Sequence, residues 1–126
     1  MKQVLFILLV FISFQGFSQE TVKLKKIGLE VMKKDLGIMI WRDVKKACAD
    51  LGDGWRLPTK DELISMAKYK EILGFETKKK SCIYWSSTES FSGWIFIYDF
   101  KDGDRQRTYV IDDTYSAAYL RVVRDL

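Results

Sequence analysis

The side chains best suited to chemistry are five neighbouring aspartates: Asp99, Asp102, Asp104, Asp112 and Asp113. Two carboxylates at a suitable separation could act as acid and base in glycoside hydrolysis, and several together could bind calcium through oxygen. Asp102 and Asp104, however, flank Gly103, a turn pattern in which aspartate is common for backbone reasons. The spacing of the group also differs from that of a dedicated calcium loop. We therefore expect these residues to form turns rather than a catalytic or metal site.

The absence of histidine excludes several enzyme classes. Serine–histidine and cysteine–histidine nucleophile arrangements are impossible without it. The two cysteines alone cannot supply the four ligands of an ordinary zinc site. We predict a protein that is not an enzyme and that uses neither a metal nor another cofactor.

The cysteines themselves, Cys48 and Cys82, leave two alternatives open. A disulfide between them would close a loop of about 35 residues and contribute about 3–4 kcal/mol in the chain-entropy model. Alternatively, Cys48 is a small apolar residue on the buried face of a helix.

Candidate ligand-binding residues lie on a predicted hairpin: Trp94, Tyr98, Asp102, Asp104, Arg105 and Arg107. Aromatic rings beside arginines suit the recognition of a glycan or a protein. Trp94 and Tyr98 share a face of the predicted strand, because they are separated by an even number of residues. The alternative is that the aromatic side chains only cover the sheet.

A structural junction is predicted where two helices meet. Thr59 and Glu62 form a capping box, in which each side chain accepts a hydrogen bond from the other residue's backbone N–H. Arg56 is expected to donate to backbone carbonyls or to a carboxylate nearby, stabilising the fold rather than binding a ligand. Trp55 and Trp85 are predicted core residues, as is Trp41.

The elements that position these residues follow from periodicity. Apolar side chains at helical spacing predict helices over residues 40–51 and 60–73, ended by Gly52 and Gly74. Extended patterns predict strands over residues 27–32, 83–88, 94–100, 105–111 and 118–123. Residues 19–26 are a loose leader or the edge of a first strand, and residues 112–116 form a polar loop. Helices separated in sequence from hairpins indicate an α+β fold.

The N-terminus has the pattern of a secretory signal peptide. Lys2 is followed by an apolar run over residues 4–14, and Gly16 and Ser18 precede the predicted cleavage point. A membrane anchor or a buried helix is the alternative, but the run is shorter than the roughly 18 residues that span a bilayer. We therefore predict an exported protein in which residues 1–18 are removed, leaving a single domain over residues 19–126 with no membrane span.

The mature chain would be mildly basic. Lys2 is the only charged residue in the predicted signal peptide, so 20 basic and 17 acidic side chains remain, a net charge of +3. Both signs are interspersed, so we expect no nucleic-acid partner. Short lysine clusters indicate a solvated surface, with weak affinity for anionic polysaccharide as the alternative.

Four blocks carry a family resemblance, in this order: residues 41–51, 54–63, 84–89 and 120–124. They contain Trp-Arg-Leu-Pro-Thr in the second block and Tyr-Trp-Ser-Ser-Thr in the third. The chain resembles, over roughly residues 27–124, the bacterial domain named after the C-terminal region of a Legionella collagen-like protein, a relative of the Fibrobacter succinogenes major paralogous domain. The resemblance implies a C-type-lectin-like fold, with two helices against a twisted antiparallel sheet and the chain termini paired. Members are mostly exported proteins of undefined function, and some are adhesins that bind sulfated glycans.

Two departures from the family pattern affect function. The resemblance implies that Cys48 would pair with a cysteine in the closing block, but Val122 and Val123 stand there and Cys82 is the possible substitute. The Glu-Pro-Asn and Trp-Asn-Asp motifs of calcium-dependent lectins are absent, so a calcium-dependent sugar site is not implied.

These observations lead to one expectation and one alternative. We expect a non-catalytic binding or adhesion module that recognises a carbohydrate or a surface protein through residues 86–116. The alternative is a structural or interaction subunit of an envelope assembly, without affinity for glycans.

Overall fold

The structure is a computed structural model, and it describes residues 20–91, 93–102 and 108–126. Its elements in chain order are β1 (Thr21–Leu24), a 3₁₀ turn (Lys25–Ile27), β2 (Leu29–Met32), β3 (Ile38–Ile40), α1 (Trp41–Leu51), α2 (Lys60–Met66), a second 3₁₀ turn (Ala67–Tyr69), α3 (Lys70–Leu73), β4 (Ile83–Glu89), β5 (Trp94–Asp99), β6 (Thr108–Asp112), β7 (Ala117–Tyr119) and β8 (Val123–Asp125). The predicted α+β class is confirmed. The predicted signal peptide lies outside the described residues.

The described strands form two sheets, where we predicted one antiparallel sheet. The large sheet has the order β3-β7-β4-β5-β6, and β4 pairs with β7 in parallel while its other pairs are antiparallel. The small sheet, β1-β2-β8, is antiparallel and brings the first and last described strands together. The second sheet arises because the chain leaves β7 after Tyr119 and pairs again only from Val123.

Helices cover both faces of the large sheet. Against α1, the sheet contributes Trp85, Ile95, Ile97 and Ala118. Against α2 and α3, it contributes Tyr84, Tyr98, Phe100 and Tyr119. Cross-strand pairing explains why these side chains fall into two sets on opposite faces, since Tyr84 is opposite Tyr98 and Trp85 is opposite Ile97. Strands buried on both faces are rich in apolar residues at every position, as β5 is.

The predicted helices are confirmed with one difference. Trp41 and Val44 are buried on α1, and Gly52 follows its last residue, as predicted. The second predicted helix is interrupted by the 3₁₀ turn over Ala67–Tyr69 before α3 resumes. Gly74, with φ of 66°, ends this segment in the left-handed conformation that favours glycine.

The strands near the two ends of the described chain also have bounds that differ from those predicted. Gly28 adopts φ of 70° after the first 3₁₀ turn, so the strand predicted from residue 27 begins at Leu29. The predicted final strand divides into β7 and β8. Between them, Leu120 exchanges backbone hydrogen bonds with Leu36 and Gly37, which joins this segment to the turn before β3.

Within the described part of the chain, no helix has both the length and the apolar character needed to cross a membrane.

Candidate functional site

The helix junction has the predicted structure. Thr59 accepts a hydrogen bond from the N–H of Glu62, and the Glu62 carboxylate accepts one from the N–H of Thr59. Arg56 donates to both carboxylate oxygens of Glu62, at 2.7 and 2.9 Å, and to Asp125 at 2.7 Å. The Arg56 guanidinium is the main reason that the pKa of Glu62 is lowered. Arg56 therefore joins α2 to β8, and both of its terminal nitrogens donate within the fold.

Strand β4 is attached directly to this junction. The N–H of Ser87 donates to the carbonyl of Pro58, and the N–H of Lys60 donates to the Thr88 hydroxyl, each at 2.9 Å. Trp85 is fully buried, and its indole N–H donates to the carbonyl of Met39 at 2.8 Å. These contacts give the Tyr-Trp-Ser-Ser-Thr and Trp-Arg-Leu-Pro-Thr segments a shared structural role.

Trp55 is less buried than we predicted. It lies half-buried beside the core, with the guanidinium of Arg124 stacked 4.4 Å from its ring centroid. Trp41, by contrast, is buried and packs against Trp85.

Sequence reasoning missed a buried ion pair. Arg121 is only 1% exposed and forms an ion pair with Asp35 at 2.8 Å. It also donates to the carbonyls of three residues, which are Met32, Leu73 and Gly74. The second oxygen of Asp35 accepts a hydrogen bond from Tyr84 at 2.8 Å. The only signal in the sequence was a charged residue within an otherwise apolar segment.

The predicted ligand-binding residues do not lie together, because Trp94 and Asp102 are at opposite ends of the hairpin. Trp94 pairs with Asp112, whereas the connection between β5 and β6 is at the opposite end of the strands. Asp102 is near that connection and forms ion pairs with Lys70 at 3.1 Å and Lys78 at 3.5 Å. Hydrogen bonding from Lys70 is the main reason that the pKa of Asp102 is lowered. Asp102 and Trp94 therefore do not belong to one site.

Tyr98 requires a correction, and three other predicted residues lie outside the described chain. Tyr98 is only 8% exposed and packs against Phe100, with ring centroids 4.5 Å apart. It is a core residue, because α2 and α3 cover the face of the sheet on which it lies. Asp104, Arg105 and Arg107 are outside the described residues.

Trp94 instead belongs to a group of exposed aromatic side chains. We use the term aromatic surface for Phe91, Trp94 and Tyr115, which are 74%, 40% and 87% exposed. Phe91 and Trp94 are joined by a turn in which the N–H of Trp94 donates to the Phe91 carbonyl at 3.1 Å. Tyr115 follows β6, at the same end of the hairpin. Sequence reasoning missed Phe91 and Tyr115, whose only signal is a large aromatic residue within a polar turn.

Two aspartates make contacts within and between the loops that carry the aromatic surface. The carboxylate of Asp112 accepts hydrogen bonds from the backbone N–H groups of Thr114 and Tyr115. Asp113 lies against Gly93 of the other loop, where a β-carbon would be 3.2 Å from its carboxylate oxygen. The two loops are therefore in contact, and the Asp113 carboxylate lies where they meet.

This arrangement offers a ligand both apolar surfaces and hydrogen-bonding groups. Exposed rings provide flat apolar surfaces, and the neighbouring carboxylates and the Thr114 hydroxyl can exchange hydrogen bonds with a polyhydroxylated ligand. Among the described residues, no group of three or more histidine, cysteine, aspartate or glutamate side chains is placed to hold a metal ion.

Both cysteines are free thiols in the structure. Cys48 is half-buried on α1 beside the core, in agreement with the alternative in which it is an apolar residue of a helix face. Cys82 is buried, and its thiol donates to the carbonyl of Lys79 at 3.1 Å. Burial raises the pKa of both thiols.

A shallow depression of about 310 Å³ lies along the second 3₁₀ turn and α3. All of its lining residues lie between Ala67 and Ile72, so they come from one continuous segment of the chain. It is a less suitable ligand site than the aromatic surface, which combines two loops.

Comparison with models of known protein families finds no match, and comparison with curated protein sequences finds none either.

Proposed function

We propose that this protein is an exported, non-catalytic module that recognises a carbohydrate through the aromatic surface. The observation that carries the proposal is the exposure of Phe91, Trp94 and Tyr115 on two loops that touch each other. Exposed aromatic side chains grouped beside polar groups are typical of recognition surfaces rather than of ordinary protein exteriors.

A carbohydrate suits the chemistry of this surface. The C–H faces of sugar rings are apolar and pack against flat aromatic rings, while the hydroxyl groups around them need hydrogen-bond partners. Asp113 and Thr114 belong to the loop that carries Tyr115, and their carboxylate and hydroxyl can provide such partners. Strand β5, which follows the first loop, has four buried residues among its six, so we expect little ordering of this strand on binding.

The proposed fold family is C-type-lectin-like, as in the Legionella collagen-like protein domain. Two features support it: the helices precede the hairpin, and β1 and β8 flank β2 so that the two ends of the domain are adjacent. The hydrogen bond between Ser87 of β4 and Pro58 joins the second and third sequence blocks, which are the two most distinctive ones. Calcium is not part of the proposal.

The test is binding of the purified protein to an array of neutral, amino-bearing and sulfated glycans, at low and at physiological salt. We expect binding that persists at physiological salt and falls at least tenfold in Trp94→Ala. Ile64→Ala is the matched control, because Ile64 is 44% exposed but lies on α2 and belongs to neither loop. Binding that disappears with salt would indicate only the lysine clusters. No binding at either salt concentration would refute the carbohydrate proposal and favour a protein partner in an envelope assembly.

Export is tested separately by determining the N-terminus of the protein after expression of the full chain in a bacterial host. We expect the exported form to begin at Gln19. Retention of residues 1–18 in the purified protein would refute cleavage.

A further inference from the structure

Strand β6 is the last strand of the large sheet as the structure describes it. Its sequence, Thr-Tyr-Val-Ile-Asp, has high strand propensity and contains neither lysine nor proline. Proteins usually protect such edges with lysine, proline, a bulge or a covering element, because an open edge can pair with another strand. The pairing of β6 with β5 is regular over all five residues. This edge is therefore suited to strand addition.

The hydrogen bonds of β5 reveal which backbone groups of β6 face outward. The carbonyl of Trp94 accepts from Ser90, and that of Phe96 accepts from the Ser86 hydroxyl, so both point towards β4. Backbone groups of successive residues in a strand point to alternate sides. Ile95 and Ile97 therefore face β6.

The same alternation continues into β6. The partners of Ile95 and Ile97 are Ile111 and Tyr109, so these two residues direct their backbone groups towards β5. The N–H and C=O groups of Thr108, Val110 and Asp112 consequently point away from the sheet.

We propose that two copies of this protein associate by antiparallel pairing of their β6 strands about a two-fold axis at Val110. In this register Val110 is opposite Val110 of the second copy, and Thr108 is opposite Asp112. Each of these pairs can exchange two N–H···O bonds, which gives about six across the interface. No other two-fold register uses all three outward-facing residues of both strands.

The side chains of β6 suit a second copy of the same strand. Tyr109 would lie opposite Ile111 of the other copy, and pairs of aromatic and β-branched residues stabilise antiparallel strands. Asp112 would lie opposite Thr108, so no two like charges are directly opposed. A β6 strand is thus complementary to itself in hydrogen bonding, side-chain pairing and charge.

The first experiment measures the mass of the full-chain protein in solution by sedimentation velocity, from about 1 µM to about 500 µM, a range suited to a modest interface. We expect a dimer that dissociates on dilution. Val110→Lys should weaken dimerisation at least tenfold, because two ammonium groups would be opposed at the axis. Ile38→Lys, on β3 at the opposite edge of the sheet, is the matched control and should leave it unchanged. A monomer throughout the range, or equal effects of both variants, would refute the proposal.

A second experiment tests the register. In a hydrogen-bonded antiparallel pair the opposed Cα atoms are about 5.5 Å apart, a separation that a disulfide can bridge. Val110→Cys should therefore form a cross-linked dimer under mild oxidation. Tyr109→Cys should not, because the two Tyr109 positions are offset along the strands. A dimer in which Val110→Cys fails to cross-link, or in which both variants cross-link equally, would rule out this pairing.

Discussion

Replacing Arg121 with methionine should destabilise the fold strongly, although the change preserves most of the side-chain volume. Arg121 is 1% exposed and connects four segments of the chain: the end of β2, the turn at Asp35, the end of α3 and the segment between β7 and β8. Its guanidinium also lies 4.6 Å from the ring centroid of Phe75. The variant would leave the Asp35 carboxylate without its cationic partner and several carbonyls without a donor.

The expected magnitude follows from the burial of the pair. Removing one partner of a buried ion pair costs about 3–5 kcal/mol, because the remaining charge is left without compensation. Asp35 is 21% exposed and keeps its hydrogen bond from Tyr84, which places the cost of Arg121→Met at about 3–4 kcal/mol. Domains of this size have a total free energy of unfolding of about 5–15 kcal/mol. The substitution should therefore remove a large part of the stability.

The assay is urea unfolding at pH 7, followed by tryptophan fluorescence. Arg42→Met is the control, since Arg42 is exposed on α1 and its loss should change the free energy of unfolding by no more than about 0.5 kcal/mol. Adding Asp35→Asn to Arg121→Met removes the unpaired charge and should restore at least about 1 kcal/mol. A cost below about 1 kcal/mol for Arg121→Met, or no recovery in the double variant, would refute this reasoning.

Three further outcomes are expected from the site residues. Thr59→Ala should lower the free energy of unfolding by about 1 kcal/mol in urea, because the N–H of Glu62 loses its cap. The pKa of Glu62 is lowered in the folded protein, so its stabilising contribution is complete above the usual value near 4.5 and is lost as the pH falls through the folded pKa. Glu62→Gln should therefore be less stable than the wild type at pH 7 but not at pH 2, and an equal deficit at both would contradict this. Cys48 and Cys82 should react slowly with a thiol reagent in the native protein and completely after unfolding; an unreactive unfolded protein would indicate the disulfide.

Local features were predictable because their partners are close in sequence. The capping box needs only Thr59 and Glu62, and the Arg56–Glu62 pair spans six residues. Glycines such as Gly74 mark helix ends through backbone conformation alone. The hairpin was predictable for the same reason, since β5 and β6 are consecutive strands of strong propensity.

Features that depend on distant pairing were not predictable. The Arg121–Asp35 pair joins residues that are 86 positions apart. Period-two alternation assigned Trp94 and Tyr98 to one face, but it did not reveal that a helix covers only the part of that face where Tyr98 lies. Similarly, β3 exists because β7 is beside it, and a three-residue apolar segment before a helix carries no strand signal of its own.

The candidate site illustrates the same limit. Phe91 and Tyr115 are 24 residues apart and occur in polar turns, where an aromatic residue has no periodic pattern to place it. Their loops are adjacent because Trp94 pairs with Asp112, which brings the loop before β5 beside the loop after β6. Antiparallel pairing also separates Trp94 from Asp102, although the two are close in sequence.

A dimer formed through β6 would present two aromatic surfaces on the same side. The two-fold axis of an antiparallel pair is perpendicular to the sheet, so opposed side chains share a face. Trp94 is opposite Asp112, which is two residues from Val110. With about 3.4 Å per residue and about 4.8 Å between strands, the two Trp94 Cα atoms would be about 20 Å apart.

That separation links the two proposals. A polysaccharide long enough to contact both surfaces would bind with avidity that can exceed single-site affinity by about 10²–10⁴, whereas a short oligosaccharide would occupy one surface at a time. Val110→Lys would then weaken binding to an immobilised polysaccharide but leave the affinity for a short oligosaccharide unchanged, because the loops that carry Phe91, Trp94 and Tyr115 remain intact. Trp94→Ala would weaken both. Equal losses for the two ligands in Val110→Lys would mean that the substitution disturbs the aromatic surface itself rather than the pairing of two copies.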